Sequence, residues 1–148
     1  MAKTQRSRSS AAKTSKGSAR PRTTAKRAAP KLPRAVAYAV RAASDKKAQD
    51  VIVLDLRNAG GFTDYFVICT GNNARQITAI ADSVRDTLKS ELDERPALTE
   101  GVDRSEWILL DYFNFVVHVF SRECRTFYGL ERLWGNAERH EFADEAHP

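Results

Sequence analysis

Residues 106–134, EWILLDYFNFVVHVFSRECRTFYGLERLW, hold most of the chain's aromatic side chains and read as two strands and a helix with almost no linker. The runs Trp107 to Tyr112 and Phe115 to Phe120 are rich in β-branched and aromatic residues, as strands are. Phe113 and Asn114 lie between them, and asparagine tolerates the positive φ that a tight hairpin needs. A two-residue loop pairs Tyr112 with Phe115, Leu110 with Val117 and Ile108 with Val119, a wholly apolar face and the natural core. The other face then carries Trp107, Leu109 and Asp111 opposite Phe120, His118 and Val116. An Asp, a His and a Trp together are not ordinary core composition, so Trp107, Leu109, Asp111 and His118 are candidates for contact with a partner. A loop one residue longer or shorter would exchange the two faces.

Ser121 is placed to cap the helix, with Glu123 in the first turn where the dipole favours negative charge. Phe127, Leu130 and Trp134 make one stripe at helical spacing, and Arg125, Tyr128 and Arg132 make another. The bland reading of the second stripe is a solvated face. The functional reading makes Arg125, Tyr128 and Arg132 an extension of the hairpin surface, because Trp, Arg and Tyr dominate binding hot spots. Against both stands a structural alternative, in which the helix merely covers Trp107 and His118.

Outward from this stretch, the chain divides by charge. Its 148 residues carry a net +5, yet residues 1–34 contain eleven Lys or Arg and no acid. The rest has thirteen basic and nineteen acidic residues, a net of −6, so the folded part is acidic. Residues 1–34 are expected to be a disordered basic tail, too poor in large apolar side chains to offset the entropy of ordering. Such a tail suits nonspecific, salt-sensitive contact with nucleic-acid phosphates, and it also resembles an organellar transit peptide. Residues 35–137 are expected to form the domain, and residues 138–148 an acidic, frayed C-terminus. Cys69 and Cys124 form no C-x-x-C, consistent with free thiols in a reducing cytosol. No run approaches the ~18 apolar residues of a membrane span, and no apolar segment suggests a secretory signal.

Within the domain, Leu32 to Ala48 reads as a helix with a Val36, Val40, Ala43 stripe, and Val51 to Leu56 as a strand covered on both faces. Asp64 to Thr70 is a second strand. Asn73 caps the next helix, with Gln76 completing a capping-box pattern and Ile77, Ile80, Ala81, Val84 and Leu88 as its core stripe to about Leu92. Pro96 bars continuation, and residues 97–105 have room for a short edge strand. The expected fold is α/β or α+β: a mixed sheet of four or five strands with helices mainly on one face.

Signals for catalysis are few. There is no G-x-G-x-x-G, P-loop or H-E-x-x-H, and the three His, at 118, 140 and 147, have no metal-ligand spacing. Cys69, inside an apolar strand, reads as inert core. Gly60-Gly61-Phe62-Thr63-Asp64-Tyr65-Phe66 has the look of a nucleotidyltransferase turn and strand. Two-metal chemistry needs two carboxylates on one strand face, two residues apart, and the second position is Phe66. No cofactor or metal is expected. An enzyme using Asp64 with Asp55 remains the alternative to a binding protein.

The segments DVIVLDL, TDYFVICTGNNARQITAIADSV, EGVDRSEWILLDY, VVHVF and FYGLERLW, in that order, resemble the ribosomal silencing factor family, also called Iojap-like proteins. The resemblance covers about Tyr38 to Ala137. It implies a nucleotidyltransferase-like core without its catalytic carboxylates, in agreement with Phe66. It further implies a non-enzymatic cytoplasmic repressor. Such a protein binds the large ribosomal subunit through that subunit's ribosomal protein number fourteen and blocks joining of the small subunit. Organelle members assist large-subunit assembly. The family's binding surface is similar in combining sheet and C-terminal residues, which favours Trp107 as the anchor and Asp111 as the partner of a basic side chain. The chain departs from the pattern at Phe113-Asn114, where Gly-Asp is common, at Asn73, where Ser is common, and near Gly60 to Phe62. An exposed apolar face would also permit a homodimer.

Overall fold

The computed structural model describes residues 31–144. Most of the expected basic tail, residues 1–30, and the last four residues, 145–148, lie outside them. In chain order the elements are α1 (Arg34–Asp45), β1 (Gln49–Asp55), β2 (Tyr65–Thr70), α2 (Ala74–Leu92), β3 (Leu98–Glu100), β4 (Trp107–Asp111), β5 (Phe115–Phe120), α3 (Arg122–Tyr128), α4 (Leu130–Leu133) and β6 (Glu138–Glu141). The strands form one six-stranded sheet in the order β3-β4-β5-β2-β1-β6. The central β2–β5 pair is parallel and every other pair is antiparallel, so the sheet is mixed and the fold is α+β.

The hairpin register is the one read from the sequence: Leu110 opposes Val117, Ile108 opposes Val119, and on the other face Leu109 opposes His118. The Tyr112 N–H donates to the Phe115 carbonyl and closes the loop. The positive φ falls on Phe113 (+77°) rather than on Asn114. Asp111 stabilises this turn, its Oδ1 accepting from the Phe113 N–H at 2.8 Å.

One face of the sheet packs under α1 and α2. Val53, Val67, Cys69, Leu110, Val117 and Val119 meet Ala39, Ala43, Ile77, Ile80, Val84 and Leu88 there, all buried. The Asn73 side chain accepts from the Gln76 N–H, as a cap should, but Gln76 reaches back to the N–H of Asn72 instead of completing the box on Asn73. Both helices end where a left-handed backbone interrupts the 3.6-residue repeat, α1 before Lys47 (φ +64°) and α2 at Asp93 (φ +54°).

Three expectations are corrected. The sheet has six strands, not four or five. The sixth lies in the segment expected to fray: Glu138–Glu141 pairs with the outer edge of β1, and the Phe142 N–H donates to the Val51 carbonyl. This strand lacks the apolar alternation by which strands are read, because its backbone rather than its side chains does the pairing. Its charged side chains, including an Arg139–Glu141 pair at 3.0 Å, suit an edge that must not pair further. Third, the closing helix is two helices. Gly129 takes φ +56° and ends α3, so the two stripes expected to run through to Trp134 are broken.

Candidate partner-binding face

The second face of the sheet carries Ile52, Leu54, Leu56, Phe66, Ile68, Val116 and Phe120 as a second core cluster. The α3–α4 pair covers only part of it. Cys124, Leu130 and Trp134 pack down onto the cluster from above, while Trp107 and Leu109 border it half-buried. Ser121 starts this cover as expected, accepting from the Cys124 N–H at 3.1 Å.

An aromatic network links the parts. Trp107 lies 4.8 Å from Phe120 and 4.5 Å from Tyr128, ring centre to ring centre. Phe66 stands edge-on to His118 at 4.5 Å and to Trp134 at 6.3 Å. At the margins the apolar surface is open: Tyr128 is 49% exposed, Leu133 70%, Phe127 78% and Phe62 79%. A monomer gains nothing from several large aromatic and aliphatic side chains held in water near one face, and such patches mark interaction surfaces.

The structure sorts the predicted site residues into three groups. Trp107, Leu109 and Asp111 are half-buried on the hairpin, and Tyr128 extends Trp107 toward solvent. His118 is on the same face but only 3% exposed, so it cannot touch a partner directly. Its Nδ1 accepts from the Trp107 Nε1–H at 3.1 Å, and burial pushes its pKa down to about 3. Arg125 is a buried strut. Its guanidinium donates to the Asp50 carbonyl and Thr70 Oγ1 at 2.7 and 2.9 Å and pairs with Glu131 at 2.9 Å. Arg132 is exposed, but it lines a cleft of about 430 Å³ with Arg125, Arg122 and Arg139, between α3–α4 and the β1–β6 edge. Arg125 and Arg132 therefore belong to the β1 side of the closing helices, not to the Trp107 surface. Phe62, Phe127 and Leu133 are not among the candidates the sequence offers. Phe127 and Leu133 are exposed on either side of the break at Gly129, and the only signal for that break is the glycine itself.

In the nucleotidyltransferase-like turn and strand, Phe66 stands where a second carboxylate would be needed. Asp55 alternates with Val51 and Val53 and so faces α1 and α2, whereas Asp64 lies in the bend before β2, where it lines a cavity with Arg34, Val36 and Leu92. Asp55 is moreover held by Arg57 through two side-chain hydrogen bonds of 3.0 and 2.7 Å, which keep its carboxyl below the usual carboxylate range. Among the described residues no group of three His, Cys, Asp or Glu could hold a metal ion, and no helix is long and apolar enough to cross a membrane.

A mixed sheet closed on one face by two helices, and on the other by a partial cover that leaves an aromatic margin, defines an α+β domain with one open apolar face. Comparison with known proteins places it. The family model described as ribosomal silencing factor during starvation matches residues 29–148, and the chain belongs to that family. It is 40% identical over 99 residues to the ribosomal silencing factor RsfS of Bacillus subtilis, covering 67% of this chain and 83% of that one. It is 36% identical over 118 residues to the chloroplastic protein Iojap of Arabidopsis thaliana, covering 76% of this chain and 49% of that one. A crystal structure of a Chromobacterium violaceum protein matches 76% of this chain and 88% of its own with a TM-score of 0.65 at 30% identity. One from Bacillus halodurans matches 72% and 96% with a TM-score of 0.63 at 34% identity.

Proposed function

We propose that this protein is a translational repressor that binds the large ribosomal subunit through that subunit's ribosomal protein number fourteen and sterically blocks joining of the small subunit. The observation that carries the reading is the half-covered aromatic face, in a chain of a family described as silencing factors. Trp107, Leu109 and Tyr128 form the apolar centre of the contact. Asp111, with one carboxylate oxygen used by the turn, offers the other to a basic side chain. His118 acts from behind the surface, while Arg125 and Arg132, on the β1 side, stand outside this contact. The protein works by occupancy, without turnover, a reading supported by Phe66 standing where a second carboxylate would be needed and by Asp55 being tied to Arg57. Its compartment is the cytoplasm, or an organelle if residues 1–34 act as a transit peptide; otherwise the tail adds nonspecific RNA contact.

A second reading, assistance in large-subunit assembly, has one specific support. The chain is 32% identical over 92 residues to a mouse protein named mitochondrial assembly of ribosomal large subunit protein 1, spanning 40% of it. Mixing the protein with purified large and small subunits and following joining by light scattering separates the two. Repression predicts association with large subunits and loss of joining. Association without loss of joining favours assembly, and no association removes both.

A further inference from the structure

His118 sits where an apolar side chain would fold better. It is 3% exposed, with Phe66 edge-on at 4.5 Å and Phe120 parallel at 5.9 Å. The Trp107 indole can only donate, so the 3.1 Å contact makes Nδ1 the acceptor and leaves the ring proton on Nε2. Nε2 is buried and has no hydrogen-bond partner among the described residues. An unpaired buried donor lowers stability, whereas a Leu or Phe of similar bulk would bury no such group. The gain that sets His118 apart from those residues is its bond to Trp107. That indole lies at the margin of the half-covered face, between Phe120 beneath and Tyr128 outside.

We infer that His118 is a positioning residue for partner binding: by accepting from Trp107 Nε1 it fixes the indole so that Trp107 and Tyr128 meet the large subunit as a preformed aromatic surface. The inference rests on the function proposed above. A ring held in its bound orientation loses less freedom on docking, so the effect appears in affinity rather than in folding.

The test uses the full chain carrying Trp134→Phe, which leaves Trp107 as the only indole. His118→Leu removes both the acceptor and the unpaired donor; His118→Asn keeps an acceptor oxygen near the position of Nδ1. The Leu variant is expected to melt no lower than its parent and to show altered Trp107 emission. It should bind purified large subunits about tenfold more weakly. The Asn variant should recover most of the affinity even if it melts lower. A Leu variant that binds as tightly as its parent overturns the inference, as does one whose binding falls only in step with its stability. If the unmodified chain does not bind large subunits, the functional reading itself fails and the inference goes with it, whatever the emission shows.

Discussion

Arg125 and His118 show how residue type alone misleads at a single position. The sequence places both as candidate contacts, Arg125 by its helical stripe and His118 by a sheet face unlike ordinary core, and both are buried by partners distant in sequence: Asp50 and Thr70 for Arg125, Trp107 and Phe66 for His118. No local spacing announces such contacts. Arg125→Ala would leave Glu131 without its partner and Thr70 and the Asp50 carbonyl without their donor, and breaking a buried pair of this kind costs about 3–5 kcal/mol. A urea titration should show that loss; an unchanged midpoint would mean that Arg125 is no strut. His118 makes stability depend on pH. Its pKa falls from the ordinary 6.5 to about 3 in the folded state, through burial. The unfolded chain therefore binds a proton below pH ~6.5 that the folded chain refuses. The contribution is fully present above that pH and is lost as pH drops toward 3, about 2 kcal/mol of it by pH 5. His118→Leu should abolish most of the difference between melts at pH 7 and pH 5; equal differences in the two proteins would contradict the assignment.

Elements with a strong side-chain period were legible in the sequence, and elements built by backbone pairing or by a single dihedral were not. The β4–β5 register and the α2 stripe follow from alternation and from 3.6-residue spacing, because one face of each is buried against a large core. The strand Glu138–Glu141 has no apolar alternation to detect, and the split between α3 and α4 depends on one glycine in the left-handed region. That break bears on the candidate site, since Arg132, beyond it, lies on the β1 side. The α2 assignment has a direct check. Ile80 is fully buried and Asp82 exposed on the same helix. Ile80→Ala should cost ~2–5 kcal/mol, seen as a clear drop in melting temperature, while Asp82→Ala should change it little. Similar shifts at both positions would place the wrong face of α2 against the sheet.

On the scale of the whole molecule, charge and apolar surface divide the work. The domain is acidic, with thirteen basic against nineteen acidic residues beyond residue 34, so the proposed function assigns any attraction to ribosomal RNA to the basic N-terminal segment. Removing residues 1–30 should leave the circular dichroism of the domain unchanged and flatten the salt dependence of RNA binding; an unchanged salt slope would take the tail out of that role. The proposed function assigns specific binding to the aromatic face. Trp107→Ala is a poor probe of it, because it also strips His118 of its donor and Phe120 of its cover. Tyr128 is 49% exposed and can be removed with less harm to the fold. The decisive measurement is sedimentation of the wild-type chain and Tyr128→Ala with separated large and small subunits, alongside thermal melts of both. The wild type should travel with the large subunit and not with the small one. Tyr128→Ala should melt near the wild type yet bind about 2 kcal/mol more weakly, roughly a thirtyfold loss of affinity. A Tyr128→Ala protein that sediments with large subunits as well as the wild type does would show that this face is not the binding surface.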